Sequence, residues 1–208
     1  MKRHGSNTQG GAPSKPHRPR HGARQPERFD PAHAALLDDP ERFDYLPPKR
    51  VIELLDPPAG ALVVDYGAGT GTYAIAIARA RPDVTVVAYD EQPQMLKRLA
   101  AKPEASLPNL RMAAPEQFAE LRGRCERVLA LNVLHELGDR ALKELAALPS
   151  AAGFVLLIDW NAGVERPVGP PREHTYDSRE ALQRLQAVGL RVEELKPMRY
   201  HFVLRARG

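Results

Sequence analysis

From Ala61 onward, short apolar runs alternate with amphipathic ones. ALVVDY (61–66), a β-branched run, DVTVVAYD (83–90), RVLALNV (127–133) and GFVLLIDW (153–160) have the length and apolar content of strands, and NLRMAA (109–114) reads as a weaker one. Between them, TYAIAIARARP (72–82), PQMLKRLAAK (93–102), PEQFAELRG (115–123) and DRALKELAAL (139–148) have helical composition and spacing, two of them opening on a proline. Strands that are apolar throughout, each followed by a helix, predict an α/β fold: a doubly wound, mostly parallel sheet covered on both faces.

Both ends depart from this rhythm. SREALQRLQAVGL (178–190) predicts a helix with Ser178 as its cap and Gly189 as its stop. LRVEELK (190–196) and RYHFVLRAR (199–207) read as strands separated by little more than Pro197 and Met198. So short a link cannot make a parallel crossover, so these two must pair as a hairpin and leave one antiparallel strand at the end of the sheet. Upstream, Phe29–Asp56 carries apolar anchors at Phe29, Leu36, Leu37, Phe43, Tyr45 and Leu46. Pro47-Pro48 then opens a helix with Val51, Ile52, Leu54 and Leu55 on its apolar face. Residues 1–28 have almost no large apolar side chain and are rich in Gly, Pro, Arg and His, the composition of a disordered basic tail. The expected organisation is therefore a tail over 1–28 and one domain over 29–208.

Charge and cysteine content narrow the function. The 208 residues carry a formal charge of +4, but residues 1–28 hold seven Lys/Arg against one acid, +6, and the remaining 23 basic and 25 acidic residues give −2. The basic character belongs to the tail, so nucleic acid is a partner only through it. His4, His17 and His21 match no zinc spacing, and no metal site is expected. A single cysteine, Cys125, excludes an internal disulfide and fits a cytoplasmic protein; no apolar run is long enough to span a membrane.

The most informative stretch is VVDYGAGTGTYA (63–74). Gly67, Gly69 and Gly71 follow the first strand, where glycines permit a tight turn and let backbone N–H groups approach a ligand. The dinucleotide fingerprint G-x-G-x-x-G is not met, because the third glycine comes one residue early. Asp90 ends the second strand, 19 residues beyond Gly71. In a doubly wound sheet that carboxylate lies beside the loop, where it can accept hydrogen bonds from both hydroxyls of a ribose and would repel a 2′-phosphate. Loop and acid together point to an adenosine-type ligand.

With these residues in place, the chain resembles the class I S-adenosylmethionine-dependent methyltransferases, and within them the small bacterial ubiquinone/menaquinone C-methyltransferase-like (type 11/25-like) enzymes. The motifs that carry the likeness are VVDYGAGTGTYA, VVAYDEQPQML, RVLALNVLHELGD and FVLLIDWNAG, flanked by FDP…LDDPERFDYLPP and GPPREH. The resemblance implies a seven-stranded sheet with an antiparallel last strand and S-adenosyl-L-methionine as cofactor. It implies that Gly67, Ala68, Gly69 and Gly71 form the loop against the methionine part, with Asp65 holding the ammonium. Asp90 would bind the ribose, Glu91 and Gln92 would lie at the adenine edge, and Asn132 would lie by the transferred methyl. One departure stands out: where many members have an acid after the third strand, this chain reads Met112-Ala113-Ala114-Pro115-Glu116.

A general base is needed only where the acceptor holds a proton at neutral pH. The catalytic candidates are His135, in NVLHELGD, and His174, in the Pro-rich GPPREHTYD, with Glu136, Asp159 and Tyr176 near them. His135 equally reads as a helix-start histidine that only packs or caps, and His174 as part of an ordinary surface loop. Asn132-Val133-Leu134-His135 lacks the Asn/Asp-Pro-Pro-aromatic signature of nucleobase amino-methylation and the Pro-Cys nucleophile of cytosine C5 methylation, and one cysteine is too few for arsenite. A small-molecule acceptor remains by exclusion. A catalytically silent cofactor-binding protein docked by its tail, and an RNA methyltransferase using the tail as an RNA-binding arm, are the other readings.

Overall fold

The computed structural model describes residues 28–208. The tail, with His4, His17 and His21, lies outside the described residues except for Arg28. The sheet is built from β1 (Leu62–Tyr66), β2 (Thr85–Tyr89), β3 (Leu110–Ala113), β4 (Cys125–Leu131), β5 (Pro149–Trp160), β6 (Arg191–Leu195) and β7 (His201–Arg207), in the order β3-β2-β1-β4-β5-β7-β6. β7 runs antiparallel to both its neighbours, and the other adjacent pairs are parallel. The hairpin inferred from the short link at Pro197 is the β6–β7 pair.

Alternate strand residues face opposite layers. Val63, Val86, Leu129 and Leu156 point into a core with α1 (Pro48–Leu55), α2 (Thr72–Ala80) and α3 (Pro93–Ala100). Val64, Val87, Val128 and Leu157 point into a second core with α4 (Asp139–Ala146) and α5 (Ser178–Ala187). This period of two, buried on both sides, is why the strands read as continuous apolar runs.

Two local expectations are corrected and a third is refined. The short helix over 115–123 is a 3₁₀ helix, Pro115–Leu121. It is short and buries only Phe118 and Leu121, whose three-residue spacing a 3₁₀ turn stacks on one side. α5 is capped by Asp177, not Ser178: its carboxylate accepts the Glu180 N–H at 2.8 Å while Glu180 reaches back to the Asp177 N–H. β4 and β5 both start earlier than read, joined by a Cys125–Pro149 pairing and a register shift. There Gly153 is required, since a Cβ would lie 2.3 Å from the Cys125 carbonyl oxygen.

Candidate active site

The carboxyl ends of β1, β2, β4 and β5 open into a cleft of about 1230 Å³. Of the site residues expected from sequence, all but Gly71 and Asp159 line it; residues 112–116 lie off it. Gly71 instead starts α2 and packs on Leu99, whose Cδ1 a Cβ would meet at 2.4 Å.

The loop after β1 does not present its N–H groups to the cleft as the glycines suggested. Gly67 and Ala68 both donate to the Tyr89 carbonyl (2.8 and 2.9 Å), Gly69 donates to Asp90 Oδ2 (2.8 Å), and Gly71 donates to the Ala68 carbonyl (2.9 Å). What the loop supplies is a wall without side chains. Gly67 and Gly69 have φ of +73° and +56°, and a Cβ on them would stand 2.5 Å from Val133 Cγ1 and 2.8 Å from Leu37 Cδ1. Beneath the start of α2, Asp65 is buried and accepts the Ala74 N–H; burial, with the Asp90 charge adding to it, pushes its pKa up to about 7. A helix start whose nearby loop donors are spent and which carries a carboxylate cannot cradle a phosphate. It suits a ligand end bearing an ammonium.

Asp90 divides its oxygens: Oδ2 takes Gly69 N–H and Oδ1 takes Gln92 N–H, each at 2.8 Å. Burial raises its pKa while these two N–H groups oppose the rise. Each carboxylate oxygen keeps accepting capacity for a diol.

On the other side of the cleft, Asn132 leaves β4 with φ +56°, and its Oδ1 is buried without a partner. The next residues form a 3₁₀ turn, Leu134–Glu136, which sets His135 against β5. His135 Nδ1 lies 2.9 Å from Asp159 Oδ1, and the His135 N–H donates to Asp159 Oδ2 at 3.2 Å. Asp159 also accepts the Trp160 N–H at 2.7 Å. Nε2 of the ring is 3.7 Å from Glu136 Oε1. Burial of His135 opposes its positive charge, but Asp159 and then Glu136 outweigh it, and its pKa is raised. Burial likewise raises the pKa of Glu136, against the Phe29 N–H that it accepts at 3.0 Å. His174 lies on an exposed turn, Arg172–His174, that also lines the cleft.

The roof was not identified from sequence. The segment 29–46, in two 3₁₀ turns (Pro31–Asp38 and Pro40–Asp44), crosses the cleft as a strap. Asp38 Oδ1 receives Thr70 Oγ1, Thr72 Oγ1 and Lys102 Nζ, each at 2.7 Å, which fastens the strap to the glycine loop. Gln92 Nε2 donates to the Phe29 carbonyl at 3.0 Å, and Arg28 pairs with Glu91 at 2.8 Å. Two of its expected anchors do not anchor: Leu36 is 60% exposed and Phe43 37%, whereas Leu46 is fully buried. Their apolar character was visible; which ones faced inward depended on the strap's path.

The fold is that of the class I S-adenosylmethionine-dependent methyltransferases, and comparison with known proteins supports methyltransferase activity. Residues 64–153 match the family described as a methyltransferase domain. The structure is similar to that of a SAM-dependent methyltransferase from Aquifex aeolicus, at 27% identity and TM-score 0.78, over 86% of this chain and 98% of that one. It shares its fold with a protein described as a type 11 methyltransferase from Sulfolobus solfataricus (20% identity, TM-score 0.63, 78% and 92% of the two chains). The same holds for an O-methyltransferase family 2 protein from Planctomyces limnophilus solved with apigenin (16%, TM-score 0.64, 86% and 61%). No curated protein matches the chain significantly. The cofactor is S-adenosylmethionine, and the residues present fit it: a side-chain-free loop, a buried acid at the α2 start, Asp90, and the unpartnered Asn132 Oδ1. Among the described residues no helix is long and apolar enough to cross a membrane, and no cluster of three potential metal ligands occurs.

Proposed function

We propose that the chain methylates a small molecule through an acceptor atom that loses a proton, such as a hydroxyl, with His135 as the general base. The observation that carries this is His135 on the cleft wall, paired at 2.9 Å with the buried Asp159. Asp159 fixes the ring by accepting from Nδ1–H, so Nε2 is the atom that takes the acceptor's proton. Two backbone N–H groups hold Asp159 in turn. When bound, the cofactor supplies a methyl already activated on a sulfonium. The protein's part is then alignment, water exclusion and proton removal. The strap and the Pro167–Pro171 stretch cover the cleft for the second of these.

Within the cofactor half, Asp90 takes the ribose hydroxyls and Glu91 and Gln92 flank the adenine. Gly67, Ala68 and Gly69 face the methionyl part, Asp65 takes its ammonium, and Asn132 lies at the transferred methyl. Gly71 serves by shaping the turn. Tyr45, Trp160 and Val168, with His174 on the turn opposite, form an acceptor half suited to a flat apolar body, which agrees with the quinone-type relatives that the motifs resemble. The test is Asp90→Ala in calorimetry with S-adenosylhomocysteine. Affinity falls about tenfold or more, on the order of 1.4 kcal/mol, for lost charge-assisted hydrogen bonds. Unchanged affinity in a folded variant defeats the assignment. Production of S-adenosylhomocysteine from hydroxylated aromatic acceptors, absent in His135→Gln, tests the chemistry.

A further inference from the structure

Among the described residues two guanidinium groups line the cleft, and their situations differ. Arg28 is spent on Glu91 at 2.8 Å. Arg42, on the strap, forms no ion pair among the described residues. Its Nη1 donates to the Leu37 carbonyl, its Cζ lies 5.7 Å from the centre of the Tyr73 ring, and it is half-buried. Tyr73 is the second residue of α2, one before the Ala74 N–H that Asp65 accepts, and Arg42 acts on the Asp65 carboxylate through space. A guanidinium with N–H donors to spare thus faces the same helix start as the buried acid.

We propose that Arg42 is a cofactor-binding residue, taking the carboxylate of the cofactor's amino-acid end while Asp65 takes its ammonium. The inference rests on the cofactor site proposed above. An α-amino acid carries its two charges on one carbon, so its site needs a cation and an anion a few ångströms apart. Of the two guanidinium groups on the cleft, Arg42 is the one without a carboxylate. The contact also gives the strap a reason to close. Its polar fastenings at Asp38 and Phe29 are made by protein groups alone, whereas Arg42 would reach the ligand itself, so the amino-acid end would pin the strap. Arg42 lies outside the stretch 64–153 that matches the methyltransferase domain.

The test compares S-adenosylhomocysteine with 5′-methylthioadenosine, which shares the nucleoside and sulfur but lacks the amino acid. In Arg42→Met, which keeps the apolar stem over Tyr73, calorimetry should show S-adenosylhomocysteine weakened about tenfold or more and 5′-methylthioadenosine within about twofold of wild type. Arg42→Lys should recover part of the loss, since it restores charge but not the planar fork. Binding of 5′-methylthioadenosine reports that the variant is folded. Equal loss for both ligands, or no loss for S-adenosylhomocysteine, overturns the proposal and leaves Arg42 to the strap's packing or to an acceptor carboxylate. If wild type binds neither compound, the cofactor site falls and Arg42's role with it.

Discussion

His135 and His201 flank the same dipeptide, Asp159-Trp160, and are held in opposite states. Asp159 meets His135 at 2.9 Å on one side of β5. Trp160 pairs across strands with His201, their rings 4.2 Å apart, and Tyr45 lies beside both, its ring 5.7 Å from Trp160 and 6.0 Å from His201. His201 is fully buried and the His135 side chain is 11% exposed, and burial disfavours the charged ring in each. His135 has two carboxylates to overcome it and its pKa is raised; His201 has unpartnered ring nitrogens, and burial drives its pKa down to about 3. Partners, not depth, decide which histidine is available for proton chemistry, and strand alternation puts the two environments one residue apart.

The sharpest way to break this comparison is His135→Gln. With an accepted acceptor, formation of S-adenosylhomocysteine should fall at least about a hundredfold while binding of that product is unchanged. A loss under about threefold would mean that the pair only packs. Asp159→Ala comes next, because it strips the imidazole and leaves the His135 and Trp160 N–H groups unsatisfied. A stability loss of about 3 kcal/mol in urea unfolding is expected, with the His135 titration, followed by NMR, moving to lower pH.

Asp65 extends the contrast to an acid buried without a cation paired to it. Its folded pKa of about 7 exceeds the ordinary 3.8, so the folded state binds the extra proton. Stability of the ligand-free protein therefore falls as pH rises from about 4 to 7. Asp65→Asn should remove that loss and stabilise the ligand-free protein at pH 8 by on the order of 2 kcal/mol, while weakening S-adenosylhomocysteine. A variant less stable than wild type at pH 8 would show that Asp65 is held as a charge. The smallest effect belongs to His201. Its folded pKa of about 3 lies below the ordinary 6.5, so the unfolded chain takes up the proton first and stability drops as pH falls through that window. His201→Phe should flatten this slope, by on the order of 1 kcal/mol at pH 4.5 in thermal or urea melts. His135 has the opposite sign: its contribution is present below 6.5 and fades as pH rises through its raised value. Parallel acid limbs for wild type and His201→Phe would mean that water reaches the ring.

The glycine loop, Asp90 and the strand–helix alternation were legible because each is written within a few residues of sequence. The same spacing misled in one respect. It suggested loop N–H groups free for a ligand, but β2 returns beside the loop and takes Gly67 and Ala68 at the Tyr89 carbonyl. His135 and Asp159 were both visible as candidates, yet nothing local joins residues 24 apart; the parallel β4–β5 pairing does. His201 packs within the strand predicted over 199–207. Its depressed pKa comes from burial, beside rings of Trp160 and Tyr45 that lie far from it in the chain.

By itself the sequence determined the class of fold, the antiparallel turn at its end and the kind of cofactor. Apolar period, glycine spacing and a strand-end carboxylate are properties of short segments whose local geometry leaves few alternatives. Tertiary structure alone decided that residues 29–46 roof the cleft, that Arg42 faces the helix start above Asp65, and which buried histidine is paired with a carboxylate. Those outcomes depend on what else arrives at each place, and charge, hydrogen bonding and burial act through space, not along the chain.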